Sequence, residues 1–223
     1  MVNIEAYQSL KAQANEANAV LVAVSKTKPD EDILTLYELG QRDFGENYVQ
    51  ELVDKQQRLP KDIRWHAIGH LQRNKVKHII PFVHLIHGVD SMRLLQEINK
   101  RAQDVGRIVD VLLQVHIADE TTKHGFGADE LLALYEEPTL HRLAWVRPSG
   151  LMGMATYSED PVKVSSEFAS LKRLFDIIGE RYYDRRPEWN TLSMGMTGDY
   201  RIAIEQGSSL LRVGSAIFGN RGQ

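Results

Sequence analysis

The sequence predicts an α/β fold, a single (β/α)₈ barrel of the TIM type with one extra helix at its N-terminal end. Eight short apolar runs alternate with loops and amphipathic segments along the 223 residues. Such alternation favours parallel strands joined by right-handed crossovers, and eight units in about 200 residues fit a compact closed barrel. The alternative is an open doubly wound sheet. Against it, no G-x-G-x-x-G motif follows the first run, and the isolated GFG at 125–127 is a weak match.

The apolar runs are the predicted strands, and each closes on a turn or a polar residue. They end near the following positions: Ser25, Gly45, Gly69, Val89, Ile117, Met154, Met194 and Val213. In a barrel of this type the chemistry is located on the face formed by the C-terminal ends of the strands. The residues that close each run are therefore the candidates for function, and Lys26 closes the first.

Amphipathic segments between the runs are the predicted helices. PDEDILTLYELG (29–40) begins with proline and acidic residues and stops at a glycine, and Ser91 caps the segment that ends at Gly106. VSSEFASLKRLFDIIGERY (164–182) has apolar residues at spacings of three and four. Residues 3–18 form the predicted extra helix.

Composition limits the function classes. The chain has no cysteine, which excludes disulfides, zinc-thiolate sites and thiol nucleophiles and favours a cytoplasmic location. The net charge of -3 disfavours nucleic acid and anionic membranes as partners, and the basic cluster QRNKVKH (72–78) is typical of a solvated helix face. We found no membrane-spanning run, no signal peptide and no linker, so we expect one domain over residues 1–223.

The segments that close the seventh and eighth runs predict a phosphate site. LSMGMTGDYRIAIEQG (192–207) and LLRVGSAIFGN (210–220) are rich in glycine and hydroxyl residues. Loops at these two positions are where such barrels most often hold phosphate. The hydroxyls of Ser193, Thr197 and Ser215 could add charge-assisted hydrogen bonds. The alternative is that these glycines are ordinary turn residues.

A lysine at the end of an apolar strand indicates carbonyl chemistry. The Lys26 amine must be neutral to attack a carbonyl, and partial burial with nearby cations such as Arg212 and Lys28 favours that form. A phosphate site and this amine in one barrel mouth suit pyridoxal 5'-phosphate (PLP), which carries both a phosphate and an aldehyde. Another phosphorylated aldehyde or sugar, bound as in an aldolase, is a further possibility.

Seven segments in order carry a resemblance that covers essentially the whole chain. They are AVSKTKP, FGENYVQE, WHAIGHLQRNKVK, HGVDS, GLMGM, LSMGMTGDY and RVGSAIFG. On these segments the sequence resembles the pyridoxal phosphate homeostasis protein family, whose barrel is related to the N-terminal domain of alanine racemases. Ala67 lies where that family often has a bulky aromatic residue. At positions 197 and 215, this chain has Thr197 and Ser215 where the family has the other hydroxyl residue of the serine and threonine pair.

The resemblance implies a PLP site and assigns its residues. Lys26 would hold PLP as a Schiff base, Asn47 would lie beside the cofactor, and Arg212 would face the pyridine nitrogen. The phosphate would be surrounded by four residues: Ser193, Thr197, Gly214 and Ser215. An arginine keeps its proton, so the ring nitrogen would stay largely unprotonated and would be a weak electron sink.

The predicted function is therefore a PLP carrier in vitamin B6 homeostasis that releases PLP to PLP-dependent apoenzymes, with little or no amino-acid catalysis. The alternative is a PLP-dependent racemase-like enzyme. Racemization needs an acid–base group on each face of the cofactor. In alanine racemases the second base comes from a separate domain and from the partner subunit, and we expect this chain, which ends at Gln223, to have no such domain and to be a monomer.

Two further groups of residues were considered. His66 and His70 are four residues apart, but HAIGH lacks the glutamate of a zincin and is strand-like, so no metal site is predicted. On a strand His70 shares a face with His66 and could line the mouth near the ligand. Lys123, after the fifth run, is either a second aldehyde acceptor or a solvated loop lysine.

Overall fold

The computed structural model describes residues 2–118, 125–184 and 186–219. In these ranges eight parallel strands close into a barrel in the order of the chain. The strands are β1 Val20–Val24, β2 Asp43–Glu46, β3 Arg64–Ala67, β4 Leu85–Val89, β5 Val109–Gln114, β6 Val146–Met152, β7 Thr191–Ser193 and β8 Leu210–Val213. The first and last strands pair directly, with Val22 opposite Arg212, so the sheet has no free edge. The predicted TIM-type barrel is confirmed, and the open sheet is not formed.

Helices cover the outside of the barrel. They are α1 Ile4–Glu16, α2 Asp30–Glu38, α3 Val49–Arg58, α4 Val76–Ile79, α5 Met92–Asp104, α6 Ala128–Glu136, α7 Pro138–His141, α8 Pro161–Tyr182, α9 Tyr200–Glu205 and α10 Ser215–Phe218. Helix α1 is the predicted extra helix, and the side chain of Asn3 caps it by accepting a 3.0 Å hydrogen bond from the amide of Ala6. Among the described helices none is both long and apolar enough to cross a bilayer.

The basic cluster at 72–78 lies after β3. It forms a 3₁₀ turn, Arg73–Lys75, followed by the short helix α4. Arg73, Lys75 and Lys77 are exposed there while Val76 is buried. The cluster is therefore the solvated face of a short helical segment, as predicted.

The alternation of side chains along the strands separates two apolar cores. The larger lies between the strands and the helices and includes Leu21 and Ala23 of β1. The smaller takes Val22 of the same strand together with residues of β4, β5, β6 and β8, and therefore fills the barrel interior. Because successive side chains point to opposite faces, Val24 shares the phase of Val22, and Lys26 follows two residues after the end of the strand.

Candidate functional site

Lys26 follows β1 directly, and buried charged groups behind the strand hold its backbone. The Lys55 ammonium, from α3, donates to the carbonyl oxygen of Ser25 at 2.8 Å and to the carboxylate of Glu46 at 2.9 Å. The Ser25 hydroxyl donates to the same Glu46 oxygen at 2.6 Å. Burial raises the pKa of Glu46 to about 7, although Lys55 and Ser25 act against it. The side chain of Lys26 itself is partly buried.

The turn after Lys26 is fixed by a second carboxylate. The amide of Thr27 donates to Glu51 at 2.6 Å, and Glu51 also accepts from Lys55 at 2.7 Å. Thr27 has a φ of 62°, which a β-branched residue rarely adopts and which persists only where the surroundings enforce it. The ammonium of Lys28 donates to the carbonyl oxygen of Phe218 at 2.9 Å, so this side chain extends toward the end of α10. Strain and ion pairs together therefore set the position of Lys26.

The ends of β2, β3 and β4 lie unusually close together beside the mouth. A Cβ added to Gly69 would lie 2.5 Å from the carbonyl oxygen of Asn47, and one added to Gly88 would lie 2.8 Å from that of Gly69. These glycines allow backbone contact that no other residue permits. Asn47 is partly buried against this contact. His70 is different: its side chain is 49% exposed and its Nδ1 lies 3.3 Å from the carboxylate of Asp90, at the rim.

Arg212 is a buried cation in the upper part of the barrel interior, only 4% exposed. Its guanidinium donates to the Ser193 hydroxyl and, at 3.1 Å, to the carbonyl oxygen of Gly153. Burial lowers the pKa of Arg212 to about 10, against the opposing charge of Asp199, so the group stays charged at neutral pH. Among the described residues no carboxylate forms an ion pair with it. A guanidinium has five N–H donors, and this one retains donors for a ligand.

Ser193 lies below the mouth. Its side chain is fully buried, and its hydroxyl contacts Nδ1 of His87 at 3.1 Å as well as Arg212. This hydroxyl is therefore held between His87 and Arg212, and its predicted contact with a phosphate stays a prediction.

The loops after β7 and β8 meet at the mouth. The Ser215 hydroxyl donates to the Thr197 hydroxyl at 3.1 Å. Gly195 has a φ of 95°, and a Cβ there would lie 2.6 Å from Cβ of Ala203, so the β7 loop turns tightly onto α9. Gly214 packs against the end of β1, because an added Cβ would be 3.1 Å from the carbonyl oxygen of Val24. The structure thus brings the two predicted phosphate loops together next to the strand that carries Lys26.

Sequence reasoning missed Glu46, Glu51, Lys55 and His87. The first two lie inside the FGENYVQE segment, which was noted as a motif without a physical role for its carboxylates. A signal for His87 was also present, because a histidine in an otherwise apolar strand must find polar partners when buried. Lys123 lies outside the described residues.

A metal site is not formed from His66 and His70, since they have different partners. His66 is buried and bonds to Asp43 and His87, whereas His70 pairs with Asp90. Another group, Asp43, His66 and His84, has ligand atoms all within 4.8 Å of one another. There the Arg64 guanidinium donates to both oxygens of the Asp43 carboxylate, at 2.7 and 2.5 Å. The carboxylate is therefore already engaged in an ion pair.

Comparison with known proteins gives the relatives of this barrel. The sequence profile of the alanine racemase N-terminal domain family matches residues 4–222. The pyridoxal phosphate homeostasis protein of Aquifex aeolicus (strain VF5) is 40% identical over 212 residues, which are 95% of this chain and 91% of that protein. The one of Pasteurella multocida (strain Pm70) is 36% identical over 216 residues, 95% of this chain and 90% of that protein. This chain belongs to the pyridoxal phosphate homeostasis protein family.

Solved structures agree with this membership. PipY of Synechococcus elongatus PCC7942, 33% identical, has been solved without PLP and with PLP bound, with TM-scores to this chain of 0.89 and 0.86. Each alignment covers 96% of this chain and 99% of PipY. The alanine racemase of Bartonella henselae shares the fold, with a TM-score of 0.73 at 17% identity over 98% of this chain and 60% of that one. The predicted homeostasis protein family and its racemase-like barrel are confirmed.

Proposed function

We propose that this chain binds PLP in the barrel mouth, holds it as a Schiff base on Lys26 and serves PLP homeostasis by releasing it to PLP-dependent apoenzymes. The observation that carries the proposal is Arg212, a buried guanidinium with no carboxylate partner among the described residues. A buried charge without a carboxylate in direct contact is costly, and such charges are concentrated at sites where a ligand uses them. The pyridine nitrogen of PLP is a hydrogen-bond acceptor, and the remaining N–H donors of Arg212 would suit it.

The rest of the mouth fits the other two groups of PLP. The Thr197 and Ser215 hydroxyls and the Gly214 backbone suit a phosphate, which accepts several hydrogen bonds. We assign Ser193 to Arg212 instead, because its hydroxyl already contacts the guanidinium. PLP would supply an aldehyde, and the Lys26 amine would hold it by condensing with that group, with loss of water. Asn47 and, at the rim, His70 are proposed to flank the ligand.

The carrier role is supported by the family, since relatives at 34–40% identity bear the name pyridoxal phosphate homeostasis protein. A Schiff base exchanges with an incoming amine or is hydrolysed when water reaches it, and either reaction would release PLP. We propose no steady turnover of amino acids. Arg212 cannot protonate the ring nitrogen, which leaves carbanions on a bound substrate poorly stabilised. A monomer in the cytoplasm remains part of the proposal.

The test is attachment of PLP at one lysine. Wild-type protein is incubated with PLP, reduced with borohydride and mapped by mass spectrometry, and the adduct is expected on Lys26. Lys26→Ala should remain folded and colourless. Lys28→Ala is the matched control, because that ammonium contacts carbonyl oxygens near α10, and it should keep the chromophore. An adduct on another lysine, or no adduct, contradicts the proposal.

Release and catalysis need separate assays. Protein loaded with PLP should activate a PLP-dependent apoenzyme across a period in which free PLP is scavenged, and Lys26→Ala should not. Steady racemization of amino acids by the purified protein, abolished in Lys26→Ala, would instead support the racemase-like alternative.

A further inference from the structure

A line of polar side chains crosses the barrel interior beneath Arg212. Its hydrogen bonds link Asp43 to His66 (3.1 Å), His66 to His87 (3.0 Å) and His87 to Ser193 (3.1 Å). Asp43 opens β2 at the N-terminal face, whereas Ser193 closes β7 at the opposite face. Bulky apolar residues normally fill such interiors, and buried polar groups are costly unless satisfied. These buried polar side chains therefore need an explanation other than filling the interior.

Hydrogen-bond chemistry gives this line a single direction when His66 and His87 are both neutral, which is the state we propose. Asp43 is fixed first. Burial alone would raise its pKa, but hydrogen bonds from Arg64 and His66 outweigh burial and hold the pKa well below its usual range. The ionised carboxylate only accepts, so Nε2 of His66 must carry the proton that it donates. Nδ1 of a neutral His66 is then an acceptor, and the facing Nε2 of His87 must be a donor.

The same reasoning extends from His87 through Ser193 to Arg212. With its proton on Nε2, neutral His87 offers Nδ1 as an acceptor to the Ser193 hydroxyl. The hydroxyl proton is thereby directed away from Arg212, and the oxygen lone pairs accept from the guanidinium. A charged His87 would break this order, because both nitrogens would be donors. Burial lowers the pKa of His87 well below the usual value, and the charge of Arg212 acts in the same direction.

We propose that Asp43, His66 and His87 are positioning residues that orient the Ser193 hydroxyl and thereby hold the Arg212 guanidinium toward the ligand. The role in ligand binding rests on the proposed function, since Arg212 is taken to face the pyridine nitrogen. The order of donors and acceptors along the line does not rest on the proposed function, because that order is a property of the ligand-free chain.

The first experiment reads the histidine tautomers without ligand. Long-range ¹H–¹⁵N correlation spectra of the full-length protein, labelled with ¹⁵N-histidine, should show both His66 and His87 neutral and protonated on Nε2 at neutral pH. The two signals are assigned by their loss in His66→Gln and in His87→Asn. A proton on Nδ1 of His87, or a charged ring, would overturn the directed order.

The second experiment removes the link and follows Arg212. His87→Phe keeps an aromatic ring but has no acceptor for Ser193, whereas His87→Asn retains an oxygen close to the position of Nδ1. In the ligand-free protein we expect His87→Phe to speed guanidinium hydrogen exchange of Arg212 at least about tenfold and His87→Asn to restore much of the protection, as for loss and recovery of one hydrogen bond. Unchanged exchange in His87→Phe would refute positioning, whether or not PLP binds.

The third readout is the ligand. His87→Phe and Ser193→Ala should each weaken PLP binding about tenfold and shift the absorption of the bound chromophore, because a displaced cation changes the field at the ring. His84→Gln is the control, since its ring also packs against His66, at 5.2 Å between centroids, but stands outside the line. Equal affinity and equal spectra in wild type, His87→Phe and Ser193→Ala would refute the role in ligand binding. If His87→Phe does not fold, Ser193→Ala and the tautomers still decide the question.

Discussion

The ammonium of Lys55 donates a 2.8 Å hydrogen bond to the carbonyl oxygen of Ser25, the residue before Lys26. Lys55 is 3% exposed and pairs at the same time with Glu46, whose side chain is fully buried, and with Glu51. The position of Lys26 thus depends on an ionic cluster on the outer side of β1. This cluster supports the backbone next to Lys26 and is independent of any ligand.

Replacing Lys55 should destabilise the fold strongly. Lys55→Met leaves the Glu46 carboxylate buried without its cation, and we expect a loss of about 3–5 kcal/mol in the free energy of unfolding, measured by denaturant titration. Adding Glu46→Gln to Lys55→Met should recover part of the loss, since the uncompensated charge is then gone. The control is Lys172→Met, whose exposed pair with Asp176 should contribute at most about 1 kcal/mol. Equal losses in Lys55→Met and Lys172→Met would contradict a buried ionic support.

His87 predicts a pH dependence of stability. Burial lowers its folded-state pKa, so below the unfolded value of 6.5 the unfolded chain binds a proton that the folded chain does not. This contribution is complete above pH 6.5 and is lost as the pH falls, by about 1.4 kcal/mol per pH unit. The stability advantage of wild type over His87→Asn should therefore shrink from pH 7 to 5.5. The exposed His78→Asn serves as control, and an advantage that stays constant for His87→Asn would argue against a neutral buried ring.

Arg212 should be important for binding but not for stability. Arg212→Met removes a buried charge that has no carboxylate partner among the described residues, so the unfolding free energy should stay within about 1 kcal/mol of wild type or increase. The affinity for PLP should fall by about tenfold or more, as expected for one hydrogen bond to a charged group. Equilibrium unfolding and PLP titration measure the two effects. A variant that unfolds readily yet binds PLP normally when folded would make Arg212 a structural residue.

The hydroxyls at the mouth should distinguish ligands by their phosphate. Thr197→Val and Ser215→Ala should each weaken PLP binding by about tenfold. Because the two hydroxyls are bonded at 3.1 Å, the double variant should be non-additive. Pyridoxal, which has no phosphate, should bind wild type and the variants equally. Loss of pyridoxal binding in Ser215→Ala would place this hydroxyl elsewhere on the ligand.

Gly69 should tolerate no side chain. The added Cβ of Gly69→Ala would lie 2.5 Å from the carbonyl oxygen of Asn47, and the backbone shift this requires should cost at least about 1–3 kcal/mol. Gly198→Ala is the control, since an added Cβ there meets nothing within 4 Å. Thermal unfolding compares the two variants. Similar melting temperatures for both would mean that the β2 and β3 ends can separate freely.

The face of the barrel that holds the candidate site could be predicted, because the fold fixes where strand ends lie. Once the periodicity indicated a barrel, Lys26 at the end of the first run was expected at this face, whereas the places of Asn47 and Arg212 beside the cofactor came from the family resemblance. The contacts of Ser193 inside the barrel could not be predicted in the same way. Its hydroxyl was expected at the phosphate because the sequence places it in a glycine-rich segment, but its partner His87 is 106 residues away along the chain.

The sequence by itself determined the strands, the helices and the place of a lysine at the end of β1, because these follow from local periodicity and from residues a few positions apart. Only the tertiary structure decided which buried polar groups satisfy one another. Lys55 against Ser25, and the line from Asp43 to Arg212, join separate strands and helices. A buried donor needs an acceptor, but this requirement does not determine which residue provides it. The partner is determined by which strands and helices the closed barrel brings together.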